Sequence, residues 1–243
     1  MILGEVKDVI REHFGRMGIS TSLVDIALKE GRKLVEKEAN FWWMRGTIDF
    51  VLGVNQQDYV IGTGEDVEID NFKDGRALQW KKTTDVRWSS VDFGTMDEEE
   101  LNLMYDETDT GNPEAAIMDN VTLKVYPPFP DQQYDMRFYY YAWTDNPTLN
   151  TDTDDLLKNW GMCLVYAGVI WGYEIILKDL QGAGYWRNLL GGTPYGRGGE
   201  IAKLKRENLK RDWKDRIILE PHDGPGPRSF RKTSNMQIYS RLR

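Results

Sequence analysis

Three prolines within four positions, Pro127, Pro128 and Pro130, constrain this chain more than any other feature. Proline lacks an N–H and fixes φ, so the backbone leaves any sheet ladder there and turns. On the near side Val121, Leu123 and Val125 alternate with Thr122, Lys124 and Tyr126, the period-2 pattern of a half-buried strand. On the far side residues 136–143, MRFYYYAW, are dense in aromatics that suit a pleated surface. Residues 121–143 are therefore expected to form two strands joined by a proline-stiffened turn, the central hairpin of a sheet. Tyr139, Tyr140, Tyr141 and Trp143 would then stand on both faces of one strand, one face for the core and the other for a neighbouring subunit.

Helical periodicity lies to either side. Val6, Val9, Ile10 and Phe14 predict a helix over 4–14, stopped by Gly15 and Gly18. A second helix is expected from Thr21-Ser22 to about Glu38, opened by a shortened capping box of Ser22 and Asp25. Phe41-Trp42-Trp43 is read as the plug between helix and sheet. Strands are expected over 47–54, over 67–80 as a hairpin turning at Asp74-Gly75, and over 86–93. A short acidic helix over 97–104, a strand over 115–118 and a turn at Asp119-Asn120 follow.

The carboxylates of Asp152, Asp154 and Asp155 then open a helix expected to reach about residue 180. It is apolar nearly all round, with Leu156, Leu157, Trp160, Cys163, Leu164, Ala167, Ile170, Trp171 and Ile175, so it should bury several faces, one against a neighbouring subunit. Gly182 and Gly184 are read as loosening the chain, residues 191–199 as a connector and 200–216 as a last helix. The expected fold is α+β. An α-helical bundle from 1–40 plus 150–216 carries an inserted, mostly antiparallel β-rich domain over 41–149. An extended C-terminal docking tail occupies 217–243, too rich in Pro, Gly and polar residues to fold alone.

Charge divides the chain unevenly. From Arg197 to Arg243 there are 13 Lys+Arg against 6 Asp+Glu, so the net −8 of the whole chain leaves −15 on residues 1–196. A basic end binds nucleic acid or docks on an acidic protein, and both readings stay open at this point. Nine Trp and twelve Tyr sit in a chain of mean hydropathy −0.57. Such residues serve surfaces that are apolar on one side and wet on the other, which favours an assembly subunit over a Trp-rich monomer core.

Catalytic and metal chemistry find little footing. A single cysteine, Cys163, excludes an internal disulfide framework and a Cys-cluster zinc site, and its apolar surroundings make it a small buried hydrophobe. With only His13 and His222, a histidine triad or His-ligated metal is poorly supported. No GxSxG, GxxxxGK[ST] or GxGxxG occurs. The DETDTG run from Asp106 meets Ile117 where a calcium loop needs its bidentate Glu. The expectation is no enzyme, no cofactor and no metal. The N-terminus lacks signal-peptide features and no apolar run approaches the ~18 residues of a membrane span, so synthesis in a reducing cytoplasm is expected.

The order of the pieces resembles the head-to-tail adaptor (connector) proteins of tailed bacteriophages. Two helices precede Phe41-Trp42-Trp43-x-Arg45, then Gln56-x-Asp58-Tyr59, a Gly-x-Pro at Gly111, Leu123-x-Val125-Tyr126-Pro127-Pro128-x-Pro130, and a Leu/Trp/Tyr-rich helix. The match covers most of residues 20–215. It departs after Tyr59, where Val60-Ile61-Gly62 replaces the expected Leu-Pro, and over 72–110 and the basic tail.

The resemblance implies a structural virion protein of the neck. A closed ring of typically about twelve copies would sit beneath the portal, extend the DNA channel and hold the tail. Its partners would be the portal protein, tail or neck proteins and further copies of itself. Double-stranded DNA would pass without specific binding, and no membrane is involved. Arg228, Phe230, Arg231, Lys232, Ile238, Tyr239, Arg241 and Arg243 are the candidate portal-docking residues of the tail. Trp160, Trp171, Tyr139, Tyr141 and Trp143 are the candidate subunit contacts. The alternatives are a tail-completion or tail-tube component and a DNA-binding protein acting through its basic end.

Overall fold

Leu3, Val6, Ile10 and Phe14 recur at three- and four-residue spacing and are each at most 2% exposed, so α1 (Leu3–Phe14) lays one apolar stripe on the core. The structure, a computed structural model, describes residues 1–14, 19–54, 56–192 and 198–219, with side chains up to residue 212. Met1–Arg206 forms one compact unit, and a second begins at Glu207.

Helix α2 (Thr21–Lys37) begins one residue before the expected box, because Ser20 is its cap and accepts the Leu23 N–H at 3.4 Å. Ser22 is already helical, and its hydroxyl pairs with that of Ser20 at 2.8 Å. Helix α4 (Asp155–Trp171) crosses α2 at two glycines. A Cβ on Gly31 would lie 2.6 Å from the Gly168 nitrogen, so the backbones approach as only glycine permits. Between α2 and the first strand, Trp42–Met44 makes a 3-10 turn.

The helix predicted to reach residue 180 ends earlier. After Trp171 the chain widens into a π turn, Gly172–Ile176, and then starts again as α5 (Leu180–Gly191). Asp179 caps α5 by accepting the Gly182 N–H at 2.9 Å, so Gly182 and Gly184 lie inside a helix where a loosened chain was expected. Gly182 has a packing reason, since a Cβ there would sit 2.6 Å from the Tyr173 ring. The short helix α3 (Glu98–Met104) carries a complete capping box of Asp97 and Glu100, and α6 (Glu200–Leu219) closes the described chain.

The strands depart most from expectation. They are β1 (Arg45–Leu52), β2 (Asp58–Val60), β3 (Phe72–Lys82), β4 (Ser89–Ser90), β5 (Asp92–Phe93), β6 (Thr110–Gly111), β7 (Ala115–Asp119), β8 (Thr122–Tyr126), β9 (Phe129–Pro130) and β10 (Tyr134–Ala142). Among the described residues they build three sheets instead of one inserted sheet: antiparallel β1-β10-β3-β4, mixed β2-β8-β7-β5, and parallel β6-β9. The fold is α+β, but it is not a helical bundle carrying a single insert.

Residues 121–143 are the reason. β8 pairs with β2 and β7, whereas β10 pairs with β1 and β3, so the expected hairpin is split between two sheets. Pro127, Pro128 and Pro130 cannot continue the β8 ladder, and the chain between them crosses over. The crossing is pinned by the Phe129 N–H on the Asp109 carbonyl and the Asp131 N–H on the Gly111 carbonyl, both 3.2 Å.

The hairpin expected at Asp74-Gly75 is also absent. β3 runs straight through, and its register against β10 slips beside Gly75, where Tyr139 faces Ala77 and Tyr140 faces Gly75. Arg76 is the extra residue of a bulge. Gly75 serves aromatic packing, because a Cβ there would lie 2.6 Å from the Phe93 ring and 3.1 Å from that of Phe138.

Along β10 the alternation is real. Tyr134, Met136 and Phe138 are fully buried in a core shared with Leu52, Tyr59, Leu78, Leu123 and Val125. Asp135, Arg137 and Tyr139 alternate with them, so they lie on the opposite face of the sheet. There Arg137 grips Asp49 with two 2.7 Å bonds, Lys81 pairs with Asp135, and the Tyr139 hydroxyl donates to Gln79. A separate helical core gathers Val6, Ile10, Leu28, Val35, Phe41, Leu156, Leu164 and Val169.

Candidate functional site

Arg32 and Glu36 stand one turn apart on α2, on the apolar side that also carries Leu28 and Val35. Their side chains are 2% and 0% exposed. Burying two charges is costly unless each is paired and hydrogen-bonded. Arg32 meets this with all three nitrogens: Nε donates to Asn146 at 2.6 Å, Nη1 to Thr144 at 2.8 Å and Nη2 to Asp154 at 2.5 Å. Glu36 accepts the Trp43 indole N–H at 3.1 Å, the Thr144 N–H at 3.1 Å and the Thr144 hydroxyl. Asp154 in turn caps α4 through the Leu157 N–H at 2.8 Å.

Lys73 at the start of β3 completes the cluster. Its ammonium donates to the Glu36 and Ala39 carbonyls at 2.5 and 2.8 Å and lies 4.7 Å above the Trp143 ring. Burial holds its pKa below the usual lysine value, against the opposing pull of Glu36 and Asp74. The cluster therefore ties α2, the 3-10 turn, β3, the segment after β10 and the start of α4 into one junction.

The aromatic plug expected at residues 41–43 sits here. Phe41 stacks on Trp43 at 4.5 Å, Trp42 meets Trp43 edge-on at 4.7 Å, and the Trp42 indole donates to Asp155 at 3.0 Å. The other motif residues have joining roles too. Tyr59 accepts the Gly53 N–H at 2.8 Å, and Tyr126 donates to Asn102 of α3 at 3.0 Å.

The candidate contact residues separate. Trp143 and Trp171 line one groove of about 590 Å³, together with Leu34 and the lysines Lys29, Lys33 and Lys37. Trp160 is half-buried against the helical core, and Tyr141, at 8% exposure, belongs to that core. Tyr139, whose hydroxyl donates to Gln79, is not among the residues lining the groove. Arg228, Phe230, Arg231, Lys232, Ile238, Tyr239, Arg241 and Arg243 lie outside the described residues.

Sequence reading missed Arg32, Glu36, Lys73, Thr144, Asn146 and Asp154 as a group. A signal did exist for the first two: charged residues at i and i+4 interrupting the apolar stripe of an amphipathic helix. The Asn146, Thr144 and Asp154 partners of Arg32 lie more than a hundred residues away, and no local pattern marks them.

Among the described residues no group of His, Cys, Asp and Glu is arranged to hold a metal ion, and no helix is long and apolar enough to cross a membrane. No family model and no curated protein matches the chain.

Proposed function

We propose that the protein is a head-to-tail adaptor of a tailed bacteriophage, a structural subunit that forms a ring beneath the portal and continues the DNA channel towards the tail. The observation that carries this reading is the ordered run of residues that resembles the adaptor family, from Phe41-Trp42-Trp43-x-Arg45 to the proline-rich segment at 127–130. Four polar side chains in and around that run join elements: Trp43 with Glu36, Trp42 with Asp155, Tyr59 with Gly53 and Tyr126 with Asn102. Groups so engaged suit a scaffold role.

Exposed apolar side chains on several elements suit a subunit that meets neighbours on more than one side. Val86, Leu103 and Leu180 are 93%, 89% and 73% exposed. The net negative charge of residues 1–196 suits a channel wall that DNA passes without adhering. In this reading the basic segment beyond residue 217 docks on the portal.

Gold-labelled antibody against the protein tests the assignment on virions before and after removal of the tail. An adaptor is labelled only at the neck, after the tail is detached. Label along the tail tube, or none on the particle, removes the reading. Deleting residues 221–243 tests the docking arm, which is expected to abolish portal binding while leaving the fold intact.

A further inference from the structure

Two patches of Met1–Arg206 share no residue and complement each other. The first is the end of α3. Leu101 is 1% exposed and anchors that helix against Ala115 and Tyr126, while Leu103 across the helix from it and Met104 at the helix's last position are 89% and 59% exposed. Glu99 lies one turn before Leu103 on the same exposed flank, and Asp106 and Glu107 follow. The capping box of Asp97 and Glu100 fixes the start of the helix. The result is a short acidic knob with two apolar side chains held out in water.

The second patch is the groove of Trp143 and Trp171. Its apolar walls are the two indoles and Leu34, and Lys29, Lys33 and Lys37 of α2 border it at helical spacing. Glu30 engages Lys33 at 3.0 Å, which leaves Lys29 and Lys37 as the cations nearest a newcomer. Asp145 also lines the groove, but the three lysines and Arg32 outnumber it and Glu30, so in a body of net −15 this is a locally basic, aromatic surface.

We infer that the groove receives the α3 knob of a second copy of the chain, with Leu103 and Met104 against Trp143 and Trp171 and Glu99 facing Lys29 and Lys37. This contact rests on the ring reading above and specifies how the ring closes. Apolar anchors set in an aromatic pocket with opposite charge at the rim are what a specific interface requires. Because knob and groove are different surfaces, each copy keeps one of each free, and successive copies add by the same rotation until a ring closes. The chain's own basic C-terminal stretch, net +7 from Arg197 onward, has the same sign as the lysine rim and is disfavoured as an occupant.

Disulfide trapping tests the contact. Leu103→Cys and Lys37→Cys change exposed side chains, and the native Cys163 is buried. In one chain the two variants are expected to give a ladder of cross-linked oligomers under mild oxidation, whereas a mixture of the two single variants stops at dimers. Leu149→Cys with Lys37→Cys is the control, expected to give no ladder. The same samples are imaged on portal protein. Rings without a ladder, or an equal ladder from the control, overturn the contact and leave the ring reading standing; neither rings nor ladder overturns both. Leu103→Asp is expected to weaken self-association about tenfold or more with an unchanged circular dichroism spectrum. If Lys29→Glu and Lys37→Glu abolish DNA binding and leave self-association unchanged, the groove is a nucleic-acid site and the inference fails.

Discussion

The Arg32 guanidinium donates to the Asp154 carboxylate at 2.5 Å, so the residue that caps α4 is held by the middle of α2. Through Thr144 and Asn146 the same arginine also fixes the segment that leaves β10. Helical layer and antiparallel sheet are thus joined by a buried polar cluster as well as by apolar packing, and its geometry dictates what substitutions do.

Arg32→Ala leaves Glu36 buried without its cation and Asp154 without its anchor. Breaking a buried charge pair from one side costs about 3–5 kcal/mol. Urea unfolding is expected to show a loss of that size. Arg32→Lys should restore little of it, because one ammonium cannot reach three partners in a fixed fork.

Two helical glycines, Gly31 at the α2–α4 crossing and Gly184 in α5, have opposite character. Gly31→Ala drives a methyl into the backbone of Gly168 and is expected to destabilise by about 1–3 kcal/mol. Gly184→Ala, within α5 with open space around its missing Cβ, should instead stabilise by about 0.5–1 kcal/mol. Thermal melts of the two variants should move in opposite directions.

Burial pushes the Cys163 thiol up to about 12. The thiolate is the reactive form, so a maleimide at neutral pH should label the folded protein only as fast as it unfolds. The folded thiol keeps its proton to a higher pH than the unfolded one, so its contribution to stability is complete below about pH 8.5 and falls as pH rises towards 12. Cys163→Ala should remove that part of the alkaline slope in denaturant titrations.

On the outward face of the sheet, the hydrogen bonds from Arg137 hold the Asp49 carboxyl below its ordinary range. The stabilising contribution of the pair is present above the unfolded value of about 3.9 and is lost as pH falls through the lower folded value. Carboxyl carbon NMR should find the Asp49 midpoint depressed and should see it return upward in Arg137→Gln. The melting temperature at neutral pH should barely change, since the pair is screened by solvent.

Much of the helical layer was legible in the sequence. The stripe Val6, Ile10 and Phe14 is a local pattern that tertiary contacts had no reason to overrule, and so is the acidic start of the short helix over 97–104. The sheets were less legible because strand pairing is not local. Asp74-Gly75 has turn chemistry, yet Tyr139 to Tyr141 of β10 offer that segment a ladder and Phe93 requires a residue without a side chain. Pro127 to Pro130 do break the β8 ladder, as their chemistry demands, but nothing nearby says that the chain re-enters a different sheet. The groove shared by Trp143 and Trp171 was half visible: both residues stood out as contact candidates, and only the fold brings them together.

Electron microscopy of the purified protein, alone and mixed with the portal protein encoded in the same genome, tests the adaptor assignment most directly. An adaptor gives rings seated coaxially on the portal. Folded protein that stays monomeric and leaves the portal bare would contradict it.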